Sequence, residues 1–245
     1  IQHFAQKEVK AEVLPKILSG EKISALAITE PSGGSDVAAL KTKAVRDGDD
    51  YIVSGEKTFI TSGIRADYYS VAVRTDPDAK GANGISMLLI DAHSEGITKL
   101  KLDKMGWWAS DTAHLHFDNV RVPAKNLLGA ENMGFFVIMN NFNMERFFLA
   151  ASSYGYALVC YEEALDWAQQ RQTFGKRLID HQVVRHKLVD MATELDAARL
   201  HLQRTKAQHQ QLAERLQLLR AQLELLDEPD GEGQEQLQIM LLQRD

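Results

Sequence analysis

Cysteine is nearly missing from this chain. Cys160 is the only one in 245 residues, so no internal disulfide can form and a reducing compartment is the natural setting. Long apolar runs are missing as well: nothing approaches the roughly 18 consecutive residues that a bilayer-crossing helix needs, so no integral membrane segment is expected. No signal-peptide pattern precedes the first motif, and a start at Ile1 rather than methionine reads as a fragment or a processed chain. Positive charge is not in excess, since 28 Lys and Arg stand against 34 Asp and Glu for a formal net charge of −6. That balance argues against nucleic-acid binding and confines any anion site to a local patch. The Gly-x-Gly-x-x-Gly, Walker, Gly-x-Ser-x-Gly and zinc-ligand spacings are absent too. His114 and His116 alternate along a strand, but no cysteine or carboxylate completes a ligand set at a recognisable spacing, so no metal is expected.

What is present is an ordinary globular composition, 44% hydrophobic and 25% charged, long enough for one large domain or two smaller ones. Residues 3 to 18 place Phe4, Val9, Val13, Leu14 and Leu18 at helical spacing, with Pro15 breaking the pattern and Gly20 closing it. From residue 23 the pattern changes to short strands, around 51–54, 68–73, 84–90 and 115–117, separated by turns too short for crossover helices. The sheet is therefore expected to be mainly antiparallel. Pro123 ends that block, and helical spacing runs from Phe135 to Gln172, with Arg171 in the last turn and Gly175 at a C-cap position. Cys160 falls in this pattern as a small buried hydrophobe. A second helix is expected from about His181, through Val184, Leu188, Met191 and Leu195, antiparallel to the first.

No Phe, Trp or Tyr follows Phe174, and glutamines crowd positions 203 to 243. Leu212, Leu216, Leu219, Leu223 and Leu226 keep the rhythm of a coiled-coil seam or a bundle helix, before an acidic break from Asp227 to Gly233. The expected fold class is α+β, a mainly antiparallel β domain followed by a bundle-like helical domain. Residues 1–22 read as the end of a helical segment, 23–128 as the β domain, 129–200 as the first bundle helices and 201–245 as an atypical Gln/Leu-rich tail.

Several segments could carry chemistry. In Thr29-Glu30-Pro31-Ser32-Gly33-Gly34-Ser35, adjacent glycines permit positive φ and a nest of amides for a phosphate, although such a turn also occurs with no ligand at all. Glu145 is flanked by Phe142, Phe147 and Phe148; a carboxylate among aromatic rings loses hydration and becomes a better base, whereas a solvent-facing glutamate paired with a cation would have the same spacing. Phe59-Ile60-Thr61 ends a strand with an aromatic and a hydroxyl, as a plain strand or as a platform for a flat ring. Arg171, Thr173 and Phe174 suit a pyrophosphate and an adenine, while arginine at a helix end followed by a capping glycine explains them equally well. Trp107 and Trp108 precede Ser110, and packing accounts for at least one of the two indoles.

Taken together and in order, the segment from Ala27 to Asp36, Lys57-Thr58-Phe59-Ile60-Thr61-Ser62, Trp108-Ala109-Ser110-Asp111-Thr112, Asn143-Met144-Glu145-Arg146 and Arg171-Gln172-Thr173-Phe174-Gly175-Lys176 resemble the acyl-CoA dehydrogenase family over roughly residues 10 to 200. The resemblance implies FAD held by Leu26, Ile28, Thr29, Gly34, Ser35, Phe59, Ile60 and Thr61, with Arg171, Thr173, Phe174, His181 and Gln182 reaching the FAD of a neighbouring subunit. Thr61 is similar to the family's partner of flavin N5, and Phe59 stands where the family usually has tryptophan. Ser35, Ser110, Phe142, Asn143 and Arg146 are implied on the acyl-CoA side.

Glu145-Arg146-Phe147-Phe148 resembles the isovaleryl-CoA and long-chain members, which implies Glu145 as the base that removes the α proton while flavin N5 takes the β hydride. Electron-transfer flavoprotein and a homo-oligomer, dimer or tetramer, are the implied partners. The implied location is the cytoplasm of a bacterium or the mitochondrial matrix of a eukaryote. The family carries more chain before the Thr-Glu-Pro segment and a longer helical region after it. Two other readings follow: an inactive fragment acting as a scaffold through its leucine seam, and an acyl-CoA oxidase.

Overall fold

Alternation of apolar and polar side chains builds most of the first half of the chain. In the computed structural model, which describes residues 1–226 and their side chains through 215, helix α1 (Lys7–Leu18) leads into strands β1 (Ser24–Ala27), β2 (Lys43–Asp47), β3 (Asp50–Thr61), β4 (Tyr68–Arg74), β5 (Ile85–Asp91), β6 (Ile97–Lys101) and β7 (Thr112–Pro123). They form one sheet in the order β1-β4-β2-β3-β7-β6, with β5 also on β4. The β2–β3, β3–β7, β4–β5 and β6–β7 pairs are antiparallel; only β1–β4 and a single β2–β4 bridge, Lys43 to Arg74, are parallel. The chain divides into two compact units, Ile1–Phe142 and Asn143–Asp245.

Two hydrophobic clusters hold the first unit. Tyr51, Val53, Tyr69, Val71, Val73, Leu115 and Phe117 form one, with the Tyr69 and Phe117 rings edge to face at 6.4 Å. Val9 and Val13 of α1, with Ile85, Met87, Leu89, Val137 and Ile138, form the other. Strand β5 contributes to both, which is why its sequence is almost continuously apolar rather than alternating. At the free edge, the Lys99 ammonium of β6 sits 5.4 Å from the Tyr69 ring centroid. The Arg74 guanidinium donates to the carbonyls of Ala38, Leu40, Ala79, Gly81 and Asn83, fixing two loops to the end of β4.

Helix α2 (Gly134–Gln170), the two-residue strands β8 (Gln172–Thr173) and β9 (Lys176–Arg177), and helix α3 (Gln182–Leu226) complete the described chain. Gly134 is obligatory at the start of α2, since a Cβ there would lie 2.5 Å from the Ser86 backbone. In the second unit α2 and α3 pack antiparallel, Phe147 meeting His209 at 6.2 Å between ring centroids while Tyr161 and Met191 line the same groove. Ala168 and Leu188 are the buried residues among its described side chains.

Four details differ from the sequence reading. Helix α1 runs through Pro15 to Leu18, because a proline in the last turn removes only one helical N–H; Gly20 does close it, at φ +79°. Helix α2 stops at Gln170, and Gly175 is not its cap. Phe174 and Gly175 are instead the two central residues of the β8–β9 hairpin, at φ +52° and +78°, as a type I′ turn requires. Cys160 is exposed rather than buried, because helical phase places it on the rim of the α2–α3 groove. Strands β1, β2, β6, β8 and β9 are additional to those expected. The acidic break from Asp227 to Gly233, and the side chains of Leu216, Leu219, Leu223 and Leu226, lie outside what is described.

Candidate functional site

The Thr29 segment begins where β1 leaves the sheet. The β1–β4 ladder ends at Ala27, and beyond it Ile28 is buried, Thr29 half-buried and Glu30 buried. Glu30 and Gly33 exchange both backbone hydrogen bonds around Pro31 and Ser32, at 3.1 and 3.0 Å. Neither Gly33 nor Gly34 has positive φ, so the expected phosphate nest is not formed: the Gly33 amide already serves the Glu30 carbonyl. Gly34 is needed for a different reason, since a Cβ there would meet the Thr29 methyl at 2.9 Å. Ser35 is exposed, and Leu26 is half-buried in β1.

Across from this turn, the Thr58 amide donates to the Thr29 carbonyl at 2.9 Å, joining the two segments. Here β3 carries a bulge: its register on β7 shifts between Lys57 and Ile60, with Phe59 at φ +59°. A phenylalanine in the left-handed region is a strained choice, and its effect is to turn the ring outward, 69% exposed. Ile60 then points into the core and Thr61 points out. The following turn, with Ser62 at φ +60°, is pinned by Asp111, whose carboxylate accepts from the Ile64 amide at 2.8 Å and whose carbonyl accepts from Ser62. The Ser110 hydroxyl donates to the Asp111 carbonyl at 3.3 Å. Trp107 and Trp108 are both largely exposed.

Behind that surface lies a buried ion pair. Lys57 Nζ donates to Glu30 Oε1 at 2.9 Å and to the Ile28 carbonyl at 3.0 Å, and the same carboxylate accepts from the Lys41 and Thr42 amides at 2.7 and 2.8 Å. Burial pushes the Lys57 ammonium down to about 8 against the opposing pull of Glu30. Burial by itself would raise the Glu30 carboxyl, but the Lys57 ammonium and the backbone donors outweigh it and hold it below the ordinary range.

In the second unit, Asn143 and Arg146 are joined through the Asn143 side-chain oxygen at 3.3 Å and line the open groove of about 810 Å³ between α2 and α3. Glu145 is not among the groove's lining residues; successive helical residues are rotated by about 100°, so it shares the face of Phe142 and Phe148. Of the rings expected around it, Phe147 turns toward α3 and Phe148 is 71% exposed, and Glu145 itself is exposed. At the hairpin, Thr173 Oγ1 lies 3.2 Å from His181 Nε2, and the Phe174 ring meets the His181 ring edge-on at 6.4 Å. Arg171 and Gln182 are exposed beside them. His114 and His116 both lie near Glu56, at 3.6 and 3.4 Å.

Two adjoining stretches match models of one family. Residues 25–120 match the acyl-CoA dehydrogenase middle domain, and residues 132–225 match the acyl-CoA dehydrogenase C-terminal domain. The chain belongs to the acyl-CoA dehydrogenase family. It is 39% identical over 210 residues to the cyclohexane-1-carbonyl-CoA dehydrogenase of Geobacter metallireducens, covering 85% of this chain and 55% of that one. Among solved structures, an acyl-CoA dehydrogenase from Geobacillus kaustophilus aligns with a TM-score of 0.81 at 44% identity, over 85% of this chain and 56% of its own. A glutaryl-CoA dehydrogenase from Mycobacterium smegmatis in complex with FADH2 aligns with a TM-score of 0.76 at 34% identity, over 82% and 51%. The chain spans about half the length of the curated relatives it matches. The acyl-CoA dehydrogenase match continues past residue 200, where the sequence reading ended it, into the glutamine-rich part of α3.

Within this acyl-CoA dehydrogenase framework, sequence reasoning assigned no role to Glu30, Lys57 or Asp111. A signal was there for the first two. Lysine at an inward position of an alternating strand, in phase with Tyr51 and Val53, requires a buried carboxylate. Among the described residues no helix is long and apolar enough to cross a membrane, and no cluster of three His, Cys, Asp or Glu residues could hold a metal.

Proposed function

We propose that this chain carries the flavin-binding and base-bearing part of an enzyme that dehydrogenates an acyl-CoA thioester between its α and β carbons. The observation that carries this reading is the junction of the Thr29 turn with the bulged end of β3: just past the Thr58–Thr29 hydrogen bond the strand turns the Phe59 ring and then Thr61 outward, an aromatic face and a hydroxyl suited to a flat ring with polar edges. FAD, when bound, supplies the two-electron acceptor for the β hydride. Leu26, Ile28, Thr29, Gly34, Ser35, Phe59, Ile60 and Thr61 form its proposed bed. Arg171, Thr173, Phe174, His181 and Gln182 offer a cation, hydroxyl and aromatic group to the nucleotide of a second copy in a homo-oligomer.

Glu145 is the proposed base, its carboxylate accepting the α proton. Ser35, Ser110, Phe142, Asn143 and Arg146 orient the thioester, since an α C–H is acidic enough only when the carbonyl is held by donors and the base is already in place. The electron acceptor is proposed to be electron-transfer flavoprotein. An oxidase differs in passing electrons to oxygen, so peroxide formation during turnover distinguishes it.

The test uses the 245-residue chain reconstituted with FAD and mixed with straight and branched acyl-CoAs, following the flavin absorbance. Bleaching supports the reading, and Glu145→Gln is expected to slow it by about 10²- to 10⁴-fold with little change in FAD affinity. Bleaching at an unchanged rate removes Glu145 from the role of base.

A further inference from the structure

We infer that Glu30 and Lys57 act as positioning residues for FAD, clasping the Thr29 turn to the bulged end of β3 so that the two segments form one rigid binding surface. The inference rests on the FAD-binding reading above and names residues that the reading does not use. Lys57 is 0% and Glu30 5% exposed, so neither side chain can touch a bound ligand, and any effect on the flavin must pass through the segments they hold.

Those segments need holding. Past Ala27 the chain has left the β1–β4 ladder, so Ile28, Thr29 and Glu30 have no strand partner there. Lys57 Nζ supplies a donor to the Ile28 carbonyl, and the next residue in β3 supplies the Thr58 amide to Thr29. On the other side, the Glu30 carboxylate gathers the Lys41 and Thr42 amides at the entry to β2. One ion pair therefore ties three stretches of chain together, and Lys57 is the last residue before the register shift that turns Phe59 and Thr61 outward. An apolar pair could fill the same space, but it would leave the Ile28 carbonyl and two amides without partners and would not select a single register.

The test is a fluorescence titration of the full chain with FAD, for the wild type, Glu30→Gln, Lys57→Met and the double variant. Far-UV circular dichroism identifies a temperature at which each is folded. Each single variant is expected to bind FAD about ten-fold more weakly and to shift the visible band of the bound flavin, with the double variant no worse than the weaker single one. A purely structural role would lower the melting temperature and leave the affinity and spectrum of the folded variants at wild-type values; that result overturns the inference, as do losses that multiply in the double variant. A wild type that fails to bind FAD defeats the proposed function itself, whereas a binding wild type with unaffected variants defeats only the clasp. If Lys57→Met does not fold, Glu30→Gln, which keeps its shape and one acceptor oxygen, carries the test with the same outcomes.

Discussion

Lys57 is the residue at which charge and burial conflict most openly. Removing one partner of a buried ion pair leaves the other charge uncompensated, at a cost of about 3–5 kcal/mol, whereas removing both charges together leaves only neutral polar groups short of partners and costs less than the two single losses added. Lys57→Met and Glu30→Gln should therefore each lower the urea midpoint sharply, and the double variant should recover part of the loss. The two titrations act in opposite pH windows. The folded Glu30 carboxyl lies below its unfolded value, so its stabilisation is complete above the ordinary 4.5 and is lost as the pH falls through the folded value. The stability gap between wild type and Glu30→Gln should accordingly shrink in acid. Lys57 is lowered from 10.5 to about 8, so the cost of burying its ammonium is full below pH 8 and is relieved as the pH rises toward 10.5. Urea midpoints across that interval should move in favour of the wild type over Lys57→Met.

At the scale of elements, two backbone positions set local geometry. Phe174 sits at φ +52° in a two-residue turn that asparagine suits better, so Phe174→Asn should raise stability by about 1 kcal/mol in thermal melts. The same change should weaken FAD binding if the ring meets adenine, so the two readouts separate turn from ligand. Gly134→Ala forces a methyl against the Ser86 backbone and should cost about 1–3 kcal/mol, seen as a lower denaturant midpoint with an unchanged slope. The long strands and helices were legible because hydrophobic period reports directly on burial. The two-residue strands and β6 were not, since a segment that short or that exposed has no period to read. Gly175 shows the remaining ambiguity: a glycine after a helix and a glycine in a I′ turn have the same local sequence, and only the pairing of Gln172 with Arg177 tells them apart.

Taken as a whole molecule, the chain combines a well-buried first unit with a second whose helices leave Trp167, Val189, Leu200 and Leu212 more than half exposed. As the contact surface of the proposed homo-oligomer it should make mass rise with concentration in sedimentation velocity, and Leu200→Glu with Leu212→Glu should return the chain toward a monomer. Motif order made the family and the α+β class readable. It could not show that Glu145 and Arg146 occupy different faces of one helix, or that a carboxylate and an ammonium lie hidden behind the Thr29 turn, because both facts depend on phase and depth rather than on spacing.

Strand β6 leaves one margin of the sheet open, and its five residues include Lys99 and Lys101, so a strand from another molecule adding there would meet two ammonium-bearing side chains. Charge of this kind on an edge strand disfavours cross-β stacking. Exchanging the two lysines for valine gives up the Lys99–Tyr69 contact but keeps the backbone pairing with β7, and should make the protein prone to fibrils, detectable as thioflavin-positive material on prolonged agitation.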